Sequence, residues 1–230
     1  MREGRVSVNG VVAGIGDSAD PARDRVELDG ERVRLDRPVY WIFHKPAGVL
    51  TTRRDPEGRA TVFDWLPDVD ARLFPVGRLD RDTSGLLLLT NDGDLAHALL
   101  HPSLGSEREY QVTVRGTLAE RTVERLERGV RIDDGWTAPS RVTRQRSERE
   151  PERTHFHLTL AEGRKRQIRR ALRVLGHPVV QLVRVRLGPL RLGRLPRGEA
   201  RSLRRDEIAA LRKHVAELRS APAKRRRRRR

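Results

Sequence analysis

The sequence contains no cysteine among its 230 residues. This absence excludes disulfide frameworks, cysteine-ligated zinc, iron–sulfur clusters and thiolate nucleophiles. The longest aliphatic run, residues 86–89, is far shorter than the roughly 20 apolar residues that cross a bilayer. Because the first residues are polar and include no apolar segment of a signal peptide, we expect a soluble, cytoplasmic protein that does not contact a membrane.

Acidic residues are few relative to basic ones, 32 against 49, which gives a net charge of +17. Seven of the basic residues form an unbroken run at positions 224–230, in a low-complexity segment beyond Ser220 that we expect to be disordered. The rest of the chain is still basic, and a basic surface indicates a polyanionic partner, most often nucleic acid. We expect the terminal run to add salt-sensitive affinity without selecting the binding site.

Residues 1–37 have the pattern of a small β-rich unit. Two hairpins are predicted, with turns at Asn9-Gly10 and Asp29-Gly30. About 35 residues are too few to bury an independent core. A Gly-x-Gly-x-x-Ala pattern at residues 14–19 does not indicate a dinucleotide site, because no long apolar helix follows it.

Residues 38–219 mix strand and helix patterns without regular βαβ alternation. We therefore predict an α+β fold with a mixed, mainly antiparallel central sheet flanked by helices. The predicted strands are residues 39–43, 73–76, 86–90, 109–114, 156–160, 179–185 and 190–192, and the predicted helices are residues 94–100, 118–128, 164–175 and a last one that Asp206 caps.

A polar loop at residues 77–85 lies between two buried strands, where catalytic residues often occur. On an extended chain, Arg78 and Asp80 point to the same side, so Arg78 can lie near the Asp80 carboxylate and favour its ionised form. The same residues are compatible with a salt-bridged turn capped by Asp82 or Thr83. Spacing alone favours this second interpretation.

The predicted helix at 164–175 places Ile168, Leu172 and Leu175 on one apolar stripe. The rest of its surface carries six basic residues, and like charges one turn apart repel each other. A phosphate backbone would relieve this repulsion, so the pattern favours RNA or DNA contact over a solvated face.

Two histidine pairs could suggest a metal site. His97 and His101 are one helical turn apart, and His155 and His157 share a strand face. Neither pair has a nearby third ligand, so we expect no metal. Motifs of ATP-driven chemistry are also absent from the sequence.

Several ordered motifs resemble the RsuA/RluB/RluE/RluF family of rRNA pseudouridine synthases, over about residues 39–212. The family's central motif is similar to residues 77–93, its "KPxG" segment to 44–48 and its "EGRxRQIRR" segment to 162–170. Its "KEY" strand is similar to residues 108–110, with Arg in place of the usual Lys. The compact C-terminal part resembles the RluB branch, which favours 23S over 16S rRNA.

The first 37 residues resemble the second half of an S4 RNA-binding module, whose helical first half is missing. The predicted organisation is therefore a partial S4-like unit at 1–37, a catalytic domain at 38–219 and a disordered basic tail at 220–230.

The resemblance implies a pseudouridine synthase fold and the conversion of one flipped-out uridine of rRNA to pseudouridine, without cofactor or metal. It implies that Asp80 is the catalytic carboxylate, as nucleophile or base, and that Arg78 and Arg169 orient it. Tyr110 would stack on the base and Leu182 would form an apolar wall. The other residues expected to contact the substrate are Lys45, Arg164, Arg166, Gln167, Arg170 and Arg184.

Two other interpretations of the basic sequence stay open. One is a catalytically idle RNA-binding or ribosome-assembly factor, and the other is general DNA binding through the terminal arginines. The intact set of Asp80, Tyr110 and Arg169 favours the enzyme, because a pure binder needs no carboxylate inside a positive groove. We expect the protein to be a monomer.

Overall fold

The computed structural model describes residues 1, 3–20, 23–33, 36–69, 71–101, 104–148 and 152–220. The chain divides into two compact units, Met1–Pro38 and Val39–Arg230. Within the described ranges, no helix combines the length and the apolar composition of a membrane span. Of the predicted disordered tail at 220–230, positions 221–230 lie outside the described residues, whereas Ser220 is the last residue of a helix.

The first unit is a four-stranded antiparallel sheet. Its strands are β1 (Val6–Val8), β2 (Val11–Val12), β3 (Val26–Leu28) and β4 (Glu31–Arg32), in the order β2-β1-β3-β4. Asn9 and Gly10 both have positive φ, 52° and 83°, as a two-residue type I′ hairpin requires. Both predicted hairpins are confirmed, whereas the relation of this unit to an S4 module stays a prediction.

The second unit is built on a nine-stranded sheet. Its strands are β5 (Tyr40–Lys45), β6 (Phe74–Pro75), β7 (Ser84–Thr90), β8 (Arg108–Arg115), β11 (Arg141–Glu148), β12 (Arg153–Leu160), β13 (Val179–Leu187), β14 (Leu190–Arg191) and β15 (Ala200–Ser202), and a separate hairpin consists of β9 (Arg131–Ile132) and β10 (Gly135–Trp136). The strand order is β11-β12-β8-β13-β7-β5-β15, with β14 paired to β13 and β6 paired to β7. Only the pairing of β13 with β7 is parallel. The predicted α+β fold with a mainly antiparallel sheet is confirmed.

Helices cover both faces of this sheet. They are α1 (Gly93–Leu100), α2 (Glu120–Arg128), α3 (Gln167–Val174) and α4 (Arg205–Ser220), with one 3-10 turn at Val62–Trp65. In β7, Leu86 and Leu88 belong to the apolar cluster with α1 and α4, whereas Leu87 and Leu89 belong to the cluster with α2 and α3. Since strand side chains alternate between faces, this fully buried strand joins the two cores.

The helix predicted from residue 164 begins later than expected. It starts at Gln167, after Arg166 in a left-handed conformation with φ 51°. The Gln167 side chain accepts a hydrogen bond from the backbone N–H of Arg164 at 3.1 Å and stabilises the preceding turn. Arg164, Lys165 and Arg166 therefore lie in a turn before the helix, so their prediction as helix-surface residues was wrong.

Candidate active site

An open cavity of about 1150 Å³ lies on the α2 and α3 side of the sheet in the second unit. Its lining comes from residues 50–59, 77–83 and 160–169 and from the side chains of β8 and β13. Ten basic side chains and three acidic ones line it. A concave surface with this excess of positive charge attracts polyanions.

Asp80 is the one cavity-lining carboxylate without an ion-pair partner in the described part of the chain. Of the other two, Asp55 pairs with Arg59 at 2.8 Å, and the hydrogen bonds from Arg59 lower the Asp55 pKa to about 2. Glu162 pairs with Arg164 Nε at 3.4 Å and also accepts hydrogen bonds from Gln167 Nε2 at 2.7 Å and from the backbone N–H of Ala138 at 2.6 Å. The two structural carboxylates are therefore neutralised locally, whereas Asp80 is left to interact with a substrate.

The backbone around Asp80 is fixed by short hydrogen bonds. The Thr83 N–H donates to the Asp80 carbonyl at 3.0 Å, which closes a turn over residues 80–83. The Thr51 hydroxyl donates to the Leu79 carbonyl at 3.0 Å and accepts from the Leu79 N–H at 3.3 Å. These contacts join segments about 30 residues apart and leave little freedom at the Cα of Asp80.

Lys45 lies under the same turn and is fully buried. Its Nζ donates to the carbonyl oxygens of Pro46 at 2.9 Å, Asp80 at 3.2 Å, Arg81 at 3.2 Å and Thr83 at 2.9 Å. Burial lowers the pKa of Lys45 to about 8, and the charges of Asp80 and Asp82 oppose this shift. The ammonium group therefore gathers three carbonyls of the turn from inside the protein.

Two arginines close to the start of α3 hold the turn from the other side. Arg169 Nη2 donates to the Asp82 carbonyl at 2.8 Å, and Arg166 Nη1 pairs with the Asp82 carboxylate at 3.2 Å. Burial lowers the pKa of Arg169, and the charge of Arg166 lowers it further, whereas Asp82 and Asp80 raise it. Arg169 and Asp80 are thus near enough for their charges to interact, although no ion pair within 4.0 Å joins Asp80 to Arg78 or Arg169 in the described structure.

The floor of the cavity contains Arg184, whose side chain is almost completely buried. Its Nε donates to the Leu86 carbonyl at 2.7 Å, and its Nη2 has no hydrogen-bond partner. Within the described ranges no carboxylate pairs with it. Gly85 has a φ of 111°, and a Cβ there would overlap the backbone of Arg184, so glycine allows β7 and β13 to approach at this point. A buried guanidinium with a free donor is suited to an anionic or carbonyl group of a ligand.

Arg108, Tyr110 and Leu182 complete the floor, on the same face as Arg184. Arg108 donates to the carbonyls of Ser106 at 3.2 Å and Leu99 at 3.3 Å. Burial lowers the Arg108 pKa, the Tyr110 hydroxyl opposes this, and the charge of Arg184 lowers it further. Across the described structure the Tyr110 hydroxyl has no hydrogen-bond partner, so its ring and hydroxyl are available at the cavity surface.

The structure brings most of the predicted site residues together and separates two of them from the rest. Nine line the cavity: Arg78, Asp80, Tyr110, Arg164, Arg166, Gln167, Arg169, Leu182 and Arg184. Lys45 does not line it, because it is buried beneath the turn. Arg170 does not line it either, because its guanidinium binds both oxygens of Asp134 at 3.0 and 3.2 Å.

Sequence reasoning missed Thr51 and Arg108 as site residues. Arg108 stands two positions before Tyr110 on one strand, so period-two alternation could have placed both on the same face. Thr51 acts on a residue 28 positions away, and no local pattern marks it. In the described ranges, no cluster of three or more His, Cys, Asp or Glu side chains is arranged to hold a metal ion.

Comparisons with known proteins agree with this geometry. The sequence profile of the RNA pseudouridylate synthase family matches residues 39–173. An uncharacterized RNA pseudouridine synthase of Aquifex aeolicus is 42% identical over 226 residues, which cover 97% of this chain and 90% of that protein. The ribosomal large subunit pseudouridine synthase B of Bacillus subtilis is 39% identical over 213 residues, covering 92% and 87%. A crystal structure of a pseudouridylate synthase is similar with a TM-score of 0.68 and 28% identity, over 91% of this chain and 90% of that one.

Proposed function

The chain belongs to the RNA pseudouridylate synthase family, and on that premise we propose that it converts one uridine of large-subunit ribosomal RNA to pseudouridine with Asp80 as the catalytic carboxylate. The observation that carries this proposal is the position of Asp80 as the unpaired carboxylate, among the described residues, of a strongly basic cavity. The naming of similar proteins as large-subunit enzymes supports the choice of RNA.

The reaction is an isomerisation, so no group is gained or lost overall. The bond from the ribose C1′ to N1 of the uracil breaks, and a bond from C1′ to C5 forms. The hydrogen on C5 leaves as a proton, and N1 gains one. Asp80 acts either as a nucleophile towards the nucleoside or as a base, and either role needs an ionised carboxylate with a fixed backbone.

The floor residues suit a flipped-out uracil. Tyr110 offers a flat ring for stacking and Leu182 an apolar wall, while the guanidinium of Arg184 supplies positive charge beneath the uracil. An RNA base inside a stem is not accessible, so the uridine must leave the stack to reach Asp80. We propose that Arg78 and Arg169 orient the carboxylate once the nucleotide fills the cavity.

The rim residues suit the RNA backbone. Arg164 and Lys165 lie in the turn before α3, together with Arg166, and all three line the cavity. Arginine and lysine contacts to phosphates position a nucleic acid without reading its sequence. Lys45 has a different proposed role, because it is buried: it positions the Asp80 turn instead of binding RNA.

We propose further that the protein acts as a monomer in the cytoplasm. The cavity is complete within one chain, since every residue that lines it belongs to the second unit. The proposed ribosomal RNA substrate supports the cytoplasmic location.

Carbodiimide mapping of pseudouridine on full-length small- and large-subunit rRNA tests the proposal. We expect wild-type protein to produce one new stop, on the large-subunit RNA, and Asp80→Asn to produce none while still binding RNA. Asp82→Asn is the control: it removes the exposed ion pair with Arg166 but leaves the hydrogen bonds of Arg169 and Lys45 to the backbone carbonyls of the turn, so its stop should persist. A stop on small-subunit RNA would overturn the assignment of substrate, and RNA binding without any stop would favour the idle binding factor.

A further inference from the structure

The hairpin formed by β9 and β10 carries a tryptophan whose side chain points into solvent. Trp136 is 66% exposed, the largest exposure among the described tryptophans. Aromatic residues are scarce in this chain, at 4%, and leaving an indole in water forgoes the free energy that its burial would provide. Tryptophan is enriched at binding interfaces, so this exposed indole is a candidate contact surface.

This hairpin is attached to the rim of the cavity. Arg164, which lines the cavity, donates from Nη2 to the Trp136 carbonyl at 2.7 Å and from Nη1 to the Asp134 carbonyl at 3.1 Å. Arg170 adds a two-point ion pair to the Asp134 carboxylate, and its hydrogen bonds lower the Asp134 pKa. The backbone at Trp136 is therefore held in place by the same basic segment that borders the substrate cavity.

A positive charge lies directly beside the exposed indole. Arg131 is the cross-strand partner of Trp136, and directly opposed residues of an antiparallel pair project from the same face with Cβ atoms about 5 Å apart. Arg131 is exposed, and in the described part of the chain it forms no ion pair. The hairpin thus presents a flat aromatic surface and a free guanidinium side by side.

We propose that Trp136 is a stacking platform for an RNA base next to the target uridine, and that Arg131 contacts a phosphate of the same segment. This inference rests on the proposed function, because it takes RNA as the substrate. Unpaired RNA bases are recognised by stacking on aromatic side chains, with arginine at the backbone. When one uridine leaves the stack, its neighbours lose a stacking partner, and the indole of Trp136, whose backbone is bonded to the rim residue Arg164, replaces it.

The charge around Trp136 favours RNA over a protein surface as the binding partner. The two carboxylates of the hairpin's turn, Asp133 and Asp134, lie 3.9 and 3.0 Å from Arg170. The indole and Arg131 are exposed on a hairpin whose backbone is bonded to the basic rim through Arg164. Such a surface complements a polyanion with exposed rings.

A double-mutant cycle between protein and RNA tests the proposal. Wild type, Trp136→Ala and Trp136→Phe are each titrated with an rRNA fragment that contains the target, and with fragments that have an abasic nucleotide at one flanking position. We expect Trp136→Ala to raise Kd and KM about tenfold, since stacking on an aromatic residue contributes that order of affinity, and Trp136→Phe to lose less. At one flanking position the abasic substitution should weaken binding to wild type but not to Trp136→Ala.

An unchanged Kd for Trp136→Ala, or additive losses at every flanking position, would overturn the inference. Pseudouridine formation by wild type is measured in the same samples. Failure of the stacking proposal is then distinct from failure of the proposed function, because an active wild type with an unaltered Trp136→Ala affinity refutes only the former. Circular dichroism melts of the three proteins confirm that the exposed substitution has left the fold intact.

Discussion

The Lys45 ammonium group donates a hydrogen bond to the carbonyl oxygen of Asp80 at 3.2 Å, from a position that solvent does not reach. The same Nζ contacts the carbonyls of Arg81 and Thr83. Asp80 is thus positioned through its backbone, from within the core, while its carboxylate stays free for the substrate. In the proposed function, the residue that sets the geometry of the turn is therefore distinct from the residue that performs the chemistry.

Lys45→Met should reduce kcat about a hundredfold, the order expected when a catalytic group shifts by about 1 Å, with little change in RNA Kd. It should also destabilise the fold by about 1–3 kcal/mol, because buried carbonyls lose their donor. Lys165→Met is the control: Lys165 is exposed at the cavity, so this change should weaken binding and reduce its salt dependence instead. A Lys45→Met enzyme with normal kcat and weakened RNA binding would restore the role that the sequence predicted.

Gly85→Ala should destabilise the protein by at least about 3 kcal/mol, since the backbone φ is positive and the new Cβ meets the backbone of Arg184. Gly93→Ala is a matched control in the first turn of α1, where a Cβ meets nothing within 4 Å. There we expect a gain of about 0.5–1 kcal/mol from helix propensity. Thermal melts distinguish the two, and equal Tm values would contradict the close approach of the strands.

Arg184→Met should reduce activity and Arg186→Met should reduce thermal stability, although the two residues are only two positions apart. Arg184 lines the cavity and has no carboxylate partner among the described residues, so its loss should lower kcat/KM at least about tenfold. The lost hydrogen bond to the Leu86 carbonyl is offset by removal of an unpaired buried charge, so Tm should change little. Arg186 pairs with Glu107 and Glu109 at 3.0 and 2.9 Å away from the cavity, so its loss should lower Tm and spare kcat/KM. Parallel effects of the two changes on activity would contradict this division.

Lowering the pH should reduce the free energy of unfolding, because Glu109 becomes protonated. Burial raises its pKa, but hydrogen bonds from His157 and Arg186 outweigh that effect and lower the pKa from 4.5 to about 2. Because the folded pKa is the lower one, the stabilisation is complete above about pH 4.5 and is lost as the pH falls towards 2. Glu109→Gln should therefore cost about 2–3 kcal/mol near neutral pH and much less near pH 2.

Urea unfolding of wild type and Glu109→Gln at several pH values measures this difference. Glu124→Gln provides the comparison, since Glu124 forms an exposed pair with Arg128, and it should shift the free energy of unfolding by no more than about 0.5 kcal/mol. A Glu109→Gln deficit that stays constant with pH would argue against the assigned cause.

Much of the fold is predictable from local patterns. The continuous apolar run within residues 86–90 identifies a buried strand, and the Asn9-Gly10 turn identifies a hairpin. β11 is not predicted from the sequence, because it is an edge strand with almost no apolar residues. The start of α3 is also missed, because a left-handed residue at Arg166 ends the preceding turn, and nothing in a run of basic residues indicates that conformation.

The position of a site residue is predictable where neighbouring side chains lie on one strand or loop. It is not predictable where contacts between distant segments determine it. Asp80 and Tyr110 follow from family motifs, and both line the cavity. The burial of Lys45 depends on a turn 35 residues away. A register shift in β13 between Arg184 and Arg186 pairs the first with Tyr110 and the second with Glu109. Simple alternation would have put both arginines on the same face.

The most direct test of the account is the release of tritium from large-subunit rRNA labelled at uracil C5, in a single turnover with excess enzyme. Wild type should release one tritium per target uridine, because C5 loses its hydrogen when it bonds to C1′. Asp80→Asn should bind the same RNA with similar Kd and release none. Tritium release by Asp80→Asn at a rate near that of wild type would contradict the claim that the Asp80 carboxylate performs the chemistry.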